Sequence, residues 1–367
     1  MTRFARRSIS VPAALALCVF VAGCGTTQTI PRAGRQPQAQ AVAAAKHFLN
    51  RYVTRDGRVV RLDQGGDTVG EGQAYGMLLA AAIGDSKRFG AIWTWTENNL
   101  MRPDGLISFL WRGGHVQDPQ AASDADLDAS RALLLAACRF NRPALRQQAL
   151  HLGNAIMNVE VTTFNGAPML TAGPWAVTAP ATINPSYFSP ASFLDLRAAS
   201  GDARWNALAA SSRSVTSGLI SPPARLPPDW ARLEGTRPVP IGSPSNAQAV
   251  PRFSFDAVRT LVRMAEDPNP AGRQIAARAW PVFAGADPAN LPVDHTLSGR
   301  PIGNILHPVA LVAAAGAAAA AGQPAARDGL LDEAEALDRR SPTYYGAAWV
   351  ALGRIMLTTN LLAVSCS

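Results

Sequence analysis

One stretch organises the rest of this chain: Ala122-Ser123-Asp124-Ala125-Asp126-Leu127-Asp128. Its three carboxylates at alternate positions open a run, Ala129 to Phe140, whose residues are typical of a buried helix. Capping is the ordinary explanation, because acids in the first turn of a helix satisfy free N–H groups and suit the helix dipole. A calcium loop is excluded, since its sixth position would be Ala129 instead of Gly and its twelfth Leu135 instead of Glu. We therefore expect a helix here and no metal site.

Helical periodicity continues on both sides of this stretch. A helix at Pro143–Met157 follows the first, Asp124–Phe140, after only two residues, which predicts an antiparallel pair. The other predicted helices are Ala41–Tyr52, Gly70–Ile83, Lys87–Leu100, Pro190–Ala199, Ala203–Ser217, Phe255–Glu266, Ala271–Trp280, Asn304–Gly322, Gly329–Leu337 and Thr343–Thr358. The Ala-rich run Val309–Gly322 is too short to cross a bilayer and is typical of an inner core helix. Strand alternation of any length is absent.

Two long segments lack a helical period. Residues 158–188 are interpreted as a long loop or a small β excursion, and residues 221–251, dense in Pro and Gly, as a second loop. Loops of this length in a helical body are usually functional. About twelve helices joined by alternating short and long connections predict an all-α fold, a double ring formed by one domain over residues 41–367, with a groove across one face.

The N-terminus is typical of an exported protein. Arg3, Arg6 and Arg7 precede an apolar stretch, Val11–Ala22, that is too short to span a membrane, which predicts a signal peptide over residues 1–23. Val21-Ala22-Gly23-Cys24 resembles the bacterial lipobox, so Cys24 would become a lipidated N-terminus and residues 24–40 a flexible tether. The expected location is the periplasmic side of the envelope, with the outer membrane favoured because Gly25 is not Asp; secretion is the alternative.

Composition excludes several classes of protein. A hydrophobic content of 48% with 16% charged residues excludes a disordered chain. The net charge of +8 comes from Arg scattered among Ala, with Lys46 and Lys87 as the two lysines and no basic block, so we expect no nucleic-acid partner. The positions of the four cysteines indicate no disulfide framework, and their spacing is not that of a zinc site. No cofactor is expected.

Two further acids stand in unusual surroundings. Glu71 lies in Gly70-Glu71-Gly72-Gln73-Ala74-Tyr75-Gly76-Met77, where small residues let a large ligand approach the start of a helix. Asp256 lies at another predicted helix start, with Arg259 three residues on and on the same face. For either acid alone, a cap or a surface ion pair explains the pattern equally well.

Aromatic residues recur near these acids, in or beside the predicted loops and helix ends. They are Tyr75, Trp93, Trp95, Trp111, Trp175, Tyr187 and the pair Tyr344-Tyr345. For any single one of them, core packing is the better explanation. For the set, a groove that binds sugar rings is the better one, because aromatic faces bury the CH faces of a sugar while acids and amides bind its hydroxyls.

The same segments resemble glycoside hydrolase family 8, a family of bacterial endoglucanases that includes the enzyme encoded beside cellulose synthase. The stretch at 122–128 is similar to the family's A-[ST]-D-[AG]-D signature, and the Glu71 octapeptide to its S-E-G-Q-S-Y-G-M block. Further matches are Trp95-Thr96-Glu97-Asn98-Asn99-Leu100, Asp104-Gly105-Leu106, Asn184-Pro185-Ser186-Tyr187-Phe188, Asp256-Ala257-Val258-Arg259 and Tyr344-Tyr345-Gly346. These blocks follow the family's order across about residues 42 to 355.

The resemblance implies an (α/α)6 barrel and inverting hydrolysis of β-1,4-glucan, with cellulose synthase or its export machinery as a further partner. It implies Glu71 as general acid, Asp256 as general base and Asp124 as the acid that holds the distorted sugar. Arg259 would steady Asp256. Substrate contacts are expected from Tyr75, Tyr187, Arg259, Trp111, Asp126 and Tyr344. An inverting enzyme needs one protonated and one ionised carboxyl about 6.5–9.5 Å apart, with room for water between them.

Departures from the family pattern leave alternatives open. Gly70 and Ala74 replace the two serines of the acid block, and Ala129-Ser130-Arg131 replaces the I-A that usually follows the signature. The substrate could therefore be another β-1,4-glycan, such as mixed-linkage glucan, xylan or chitosan. A non-catalytic glycan-binding lipoprotein is an alternative from another class, and a polysaccharide lyase on a similar helical toroid is a third.

Overall fold

The computed structural model describes residues 32–364. The predicted signal peptide, Cys24 and the first part of the predicted tether lie outside these residues. Within them the chain forms thirteen α-helices, of which α10 is a single turn. They are α1 (Arg32–Tyr52), α2 (Gly70–Ala82), α3 (Ser86–Asn99), α4 (Ser123–Arg139), α5 (Pro143–Val159), α6 (Pro190–Ser200), α7 (Arg204–Leu219), α8 (Val258–Glu266), α9 (Pro270–Ala277), α10 (Trp280–Phe283), α11 (Pro308–Ala320), α12 (Pro324–Arg340) and α13 (Tyr344–Thr358).

The helices form two concentric rings. Six inner helices contact one another in the order α2, α4, α6, α8, α11, α13 and back to α2, which closes the inner ring. The outer helices α1, α3, α5, α7, α9 and α12 each pack on an inner helix adjacent in the chain or, for α1, on α13. The predicted double ring is therefore confirmed, and it is an (α/α)6 barrel.

Small residues allow the inner ring to close. α11 is buried along almost its whole length, as expected for the Ala-rich run. A Cβ added at Gly316 would lie 3.1 Å from the backbone of Leu261, so α11 and α8 approach each other as closely as their backbones permit. A helix that is apolar on all sides suits this position because outer helices cover one side and inner helices the other.

Ten short strands form four antiparallel sheets among the described residues, which is more strand than the one small β excursion that the sequence analysis allowed. They are β1 (Thr68–Val69), β2 (Ser108–Arg112), β3 (His115–Ala121), β4 (Val161–Phe164), β5 (Ala167–Leu170), β6 (Thr182–Ile183), β7 (Trp230–Glu234), β8 (Arg237–Ile241), β9 (Arg252–Phe253) and β10 (His295–Thr296). The sheets are β1-β2-β3, β4-β5, β6-β7-β8 and β9-β10. The predicted β excursion is the β4–β5 hairpin, whose turn residues Asn165 and Gly166 both have positive φ.

Three other features refine the sequence analysis. α1 begins at Arg32, so part of the segment expected to be a tether is helical. Cys138 is disulfide-bonded, which corrects the expectation of no disulfide. Between residues 32 and 364, no helix has both the length and the apolarity needed to cross a bilayer.

The inner helices all begin at one end of the barrel. The first turns of α2, α4 and α8 meet through side-chain contacts of Glu71, Asp124 and Arg259. α13 and α11 start beside them, since a Cβ on Gly346 would touch Pro308. Strands β1, β3 and β9 lead directly into α2, α4 and α8, so this end also carries much of the sheet structure. The functional side chains are therefore expected where these N-termini converge.

Candidate active site

Three acids from distant parts of the chain meet at this end of the barrel. Glu71 is the second residue of α2, Asp124 the second residue of α4, and Asp256 stands two residues before α8. The side chains of Glu71 and Asp256 are 21% and 33% exposed, whereas that of Asp124 is 4% exposed. Two of the acids therefore reach solvent, and the third forms the floor between them.

One guanidinium holds all three acids. Nη1 of Arg259 donates to Glu71 Oε2 at 3.0 Å and to Asp124 Oδ2 at 2.7 Å, while Nη2 donates to Asp256 Oδ1 at 2.7 Å. The sequence predicts only the last contact. Because the Arg259 side chain is 2% exposed, these hydrogen bonds form away from bulk water. The oxygens of Glu71 and Asp256 contact one planar group and so lie within about 8 Å of each other.

The cluster carries more negative than positive groups. Burial raises the pKa of Glu71, Arg259 lowers it, and the charge of Asp256 raises it again. Burial likewise raises the pKa of Asp124 to about 7, against the attraction of Arg259. Arg259 faces three carboxylates and Arg61 adds only a second, more distant positive charge, so the surroundings favour a proton on one of the acids. This arrangement can supply one acid in protonated form and another in ionised form.

Tyr75 lies behind Glu71. Its side chain is buried, with the residue 1% exposed, and its hydroxyl donates to Glu71 Oε2 at 3.2 Å. The same hydroxyl accepts from Arg259 Nη1 at 3.1 Å and from Trp349 Nε1 at 3.2 Å. Tyr75 therefore holds the catalytic carboxyl candidate from the core side, and its contact with a substrate stays a prediction.

Two cavities adjoin the acid cluster. One, of about 400 Å³, is lined by Glu71 and Asp256 together with Phe255, His307 and Tyr345. The other, of about 390 Å³, is lined by Tyr187, Trp175, Trp230 and Phe109. The Tyr187 ring lies 5.1 Å from the Arg259 guanidinium carbon, so it links the second cavity to the acids, as expected for a residue lining the site. A larger cavity of about 700 Å³, between α3 and α5, contains none of the acids.

Trp111 and Tyr344 are two further predicted substrate contacts. Trp111 packs edge-on against Trp95, and the Arg58 guanidinium covers one face of its ring at 4.4 Å. Tyr344 is 2% exposed and packs against Phe48 and Tyr52, but it also lines the cavity that contains Glu71 and Asp256. For both residues, contact with a substrate stays a prediction.

Asp126, another predicted substrate contact, lies in the core. It is fully buried, and its Oδ1 accepts from the backbone N–H of Ile107 at 2.8 Å. Burial raises the pKa of Asp126 well above its ordinary value, and Glu160 is buried in the same pocket. Asp126 therefore anchors the segment before β2, and its contact with a substrate stays a prediction.

Replacing Glu160 with glutamine is expected to stabilise the protein near pH 8. Burial, together with the charges of Asp126 and Asp124, holds the pKa of Glu160 well above its ordinary value. Protonated Glu160 therefore does not oppose folding below its unfolded-state pKa. As pH rises through the folded-state pKa, burial of this carboxyl increasingly lowers the free energy of unfolding. A glutamine amide does not ionise, so it avoids the cost of keeping a buried carboxyl protonated at pH 8. Its NH2 group can also donate to Asp126 Oδ2, which otherwise has no partner. We expect a gain of about 1–3 kcal/mol.

Thermal unfolding at pH 5 and pH 8 measures this effect. The gain should be present at pH 8 and smaller at pH 5, where Glu160 already carries its proton in the folded protein. The exposed Glu234 provides a control, since Glu234→Gln should change neither melting temperature. A Glu160→Gln variant that melts below the wild type at pH 8 contradicts the prediction.

The segment that carries Asp256 is held by Asp229, which the sequence analysis missed, and by Tyr345. Asp229 Oδ1 accepts from the backbone N–H groups of Ser254 at 2.9 Å and Ala257 at 2.8 Å. Tyr345 donates to the Phe255 carbonyl at 2.7 Å. Burial and the nearby Asp256 raise the pKa of Asp229 to about 7. No local pattern marks Asp229, because its partners lie 25 and 28 positions further along the chain.

Comparison with known protein families identifies one match that spans most of the chain. The family model described as Glycosyl hydrolases family 8 matches residues 34–358. A "Probable endoglucanase" of Novacetimonas hansenii is 33% identical over 260 residues, which is 65% of this chain and 72% of that protein. An "Endoglucanase" of Pseudomonas fluorescens is 30% identical over 263 residues, 67% of this chain and 64% of the relative.

Solved structures share the same architecture. The endo-beta-1,4-glucanase CMCax from Acetobacter xylinum superimposes with a TM-score of 0.73 at 29% identity, covering 87% of this chain and 98% of that one. A beta-1,3-1,4-glucanase from Paenibacillus sp. X4 superimposes with a TM-score of 0.78 at 18% identity, covering 89% and 92% of the two chains. The second likeness supports the fold alone.

Proposed function

Because the chain belongs to glycosyl hydrolase family 8, we propose that it is an endoglucanase that hydrolyses β-1,4-glucan. One observation carries this conclusion: Arg259 gathers three carboxylates from helices far apart in the chain at the border of two aromatic-lined cavities. A glucan needs both features, since its rings bind aromatic surfaces while its linkage must lie between an acid and a base.

Each acid has a distinct role in the proposed reaction. Glu71, whose raised pKa keeps a proton available, donates that proton to the glycosidic oxygen as the C1–O bond breaks. Asp256 accepts a proton from the water whose oxygen forms the new bond to C1. Asp124, on the floor of the site, holds the distorted sugar through its hydroxyl groups. The new C1 hydroxyl keeps the oxygen and one hydrogen of the water, and the leaving group keeps the proton of Glu71; before the next cycle, Asp256 passes the other water proton to solvent and Glu71 takes up a proton from solvent.

The contact geometry supports the division between acid and base. Arg259 Nη2 contacts Asp256 without contacting another acid, so the ionised form of Asp256 has a cationic partner of its own. Glu71 shares Nη1 with Asp124 and with the Tyr75 hydroxyl, so its charge is less well compensated. We therefore assign the base to Asp256 and the acid to Glu71.

The anomeric configuration of the fresh product tests this assignment. Hydrolysis of cello-oligosaccharides, followed by proton NMR within the first minutes, should show the α-anomer accumulating before mutarotation, because water attacks from the face opposite the leaving group. Appearance of the β-anomer first would contradict a base role for Asp256. Retained binding of glucan with no product at all would favour the non-catalytic glycan-binding alternative.

We further propose that the enzyme acts at the cell envelope in connection with cellulose production. The support is the N-terminal pattern, in which an apolar segment ends in Val21-Ala22-Gly23-Cys24. Lipidation of Cys24 would anchor the enzyme while leaving the barrel free to reach a nascent glucan. Mass spectrometry of the mature N-terminal peptide tests the anchor, since an unmodified Cys24 or a peptide starting elsewhere contradicts it.

A further inference from the structure

Trp349 is buried in the centre of the barrel and contacts no cavity that adjoins the acids. It belongs to α13, is 1% exposed, and its indole Nε1 donates to the Tyr75 hydroxyl at 3.2 Å. The two rings meet edge to face, with their centroids 5.6 Å apart. Trp349 thus touches the residue that in turn touches the proposed general acid.

The hydrogen bonds around Tyr75 leave one arrangement for its proton. Its hydroxyl has three polar neighbours: Arg259 Nη1, Trp349 Nε1 and Glu71 Oε2. A guanidinium and an indole can only donate, and a phenol hydroxyl donates once and accepts twice. The hydroxyl proton therefore points at Glu71 Oε2, the one acceptor among the three, while the acceptor side of the hydroxyl faces the indole N–H and Arg259 Nη1, whose two hydrogens are shared among Tyr75, Glu71 and Asp124.

These hydrogen bonds determine which oxygen of Glu71 can carry the acidic proton. Oε2 accepts from both Tyr75 and Arg259, at 3.2 and 3.0 Å, and has no room for a proton of its own. The proton of neutral Glu71 must therefore reside on Oε1. We propose that Trp349 is a positioning residue that fixes the Tyr75 hydroxyl and so directs the acid proton of Glu71 to Oε1. This inference rests on the proposed role of Glu71 as general acid.

A second ion pair keeps the indole in place. The Arg263 guanidinium carbon lies 5.4 Å from the centre of the Trp349 ring, and Arg263 is paired with Asp128 in the core. Arg263 follows Arg259 by one helical turn on α8, and Asp128 follows Asp124 by one turn on α4. Arg259 thus holds the three acids of the site. One helical turn further along, the Arg263–Asp128 pair packs against Trp349.

A phenylalanine at position 349 keeps an aromatic ring and removes only the donor. Without the indole N–H, the Tyr75 hydroxyl is less polarised and its hydrogen bond to ionised Glu71 is weaker. Since that bond lowers the pKa of Glu71, its weakening raises the pKa. Activity requires protonated Glu71 and falls as pH rises through its pKa, so the alkaline limb of kcat/KM should move to higher pH. We expect kcat to fall about 2- to 10-fold, the effect of one lost hydrogen bond.

Other charged and titratable groups also face Glu71, so a shifted pH profile alone does not show that Trp349 acts through Tyr75. Single and double variants test this. The other groups are Arg259, Asp256, Arg61 and Asp124, with the hydroxyls of Tyr344 and Tyr345. Tyr75→Phe should move the alkaline limb further than Trp349→Phe does. The double variant should match Tyr75→Phe alone, because Trp349 acts only through that hydroxyl. Additive shifts would overturn the inference.

Trp205 provides the matched control. It is 2% exposed on α7, stacked against Phe193, and shares no contact with the acids. Trp205→Phe is expected to affect stability at most and to leave the pH profile unchanged. A Trp349→Phe profile that superimposes on the wild type overturns the inference. Wild-type activity in Glu71→Gln would instead overturn the proposed function itself, so the two failures are distinct.

A spectroscopic measurement serves if Trp349→Phe fails to fold. In the ¹⁵N-labelled wild-type enzyme, the indole N–H signal of Trp349 should shift over the pH range in which activity is lost at the alkaline end. In Glu71→Gln the part of this shift that comes from position 71 should be lost, so the signal should change less with pH than in the wild type and follow only Asp124, whose pKa burial raises to about 7. An indole signal that does not respond to pH in the wild type overturns the inference.

Discussion

Glu71→Gln is expected to lower kcat on carboxymethylcellulose by about 10³- to 10⁴-fold, since general acid catalysis contributes up to that range. The amide keeps the shape of the side chain and can still accept from Tyr75 and Arg259, whose donors both point at one oxygen. It cannot transfer a proton to the leaving group. KM should change little, because the proton transfer that is lost stabilises only the transition state and not the bound substrate. Release of reducing ends measures the rate.

Two comparisons make this result specific. Glu234→Gln, an exposed exchange on β7, should keep wild-type activity. A substrate with a highly acidic leaving group, such as a dinitrophenyl cellobioside, should recover part of the lost rate in Glu71→Gln, because it needs no protonation on departure. A variant with more than a tenth of wild-type kcat on carboxymethylcellulose contradicts the role assigned to Glu71.

Arg259→Met is expected to remove both activity and a large share of stability. The change leaves Glu71, Asp124 and Asp256 without their common cation, and losing one partner of a buried ion pair typically costs about 3–5 kcal/mol. Because Arg259 lowers the pKa of both Glu71 and Asp124, their pKa values should rise further. Their protonation relieves the repulsion, so the stability deficit should be largest near pH 8 and shrink towards pH 4.

Arg259→Lys keeps the positive charge but loses the planar guanidinium. It therefore separates the effect of charge on stability from the effect of geometry on activity. An ammonium group can contact one or two acids but cannot reproduce the planar three-way arrangement. We expect stability to recover in part while kcat stays at least about 100-fold below the wild type. Thermal unfolding from pH 4 to pH 8 and initial rates of hydrolysis measure the two quantities.

Arg131 is the matched control for both substitutions. It is also buried on an inner helix and paired with two acids, Asp195 and Glu266, but it contacts none of the three acids of the site. Arg131→Met should lower stability by a comparable amount and leave the kcat of the folded enzyme unchanged. Equal losses of kcat in both methionine variants would show that general destabilisation, and not the position of Arg259, limits the reaction.

Local pattern was enough to predict most helices, because helix formation depends on a 3.6-residue period that a single segment displays by itself. The helices that begin at Gly70 and Pro143 start where expected, and the Ala-rich run is an inner core helix. The three acids could also be chosen in advance, because they match the family blocks, although an acid at a helix start is by itself explained equally well as a cap. Their meeting could only be anticipated through that resemblance.

Tertiary structure alone decided which side chain of each motif faces the groove. Asp124 and Asp126 are two residues apart, about 200° around α4, so the rotation of that helix sends one to Arg259 and buries the other beside Glu160. The same applies to Tyr344 and Tyr345, of which the first joins the core and the second holds the Phe255 carbonyl. Some short strands escaped prediction because their partners are distant in the chain, as Thr182 pairs with Arg232, and the local hairpins because their strands are too short for a clear alternation. The sequence thus determined the helices and the set of candidate acids, whereas contacts between distant segments determined which residues form the site, because side-chain direction depends on how whole helices are rotated and packed.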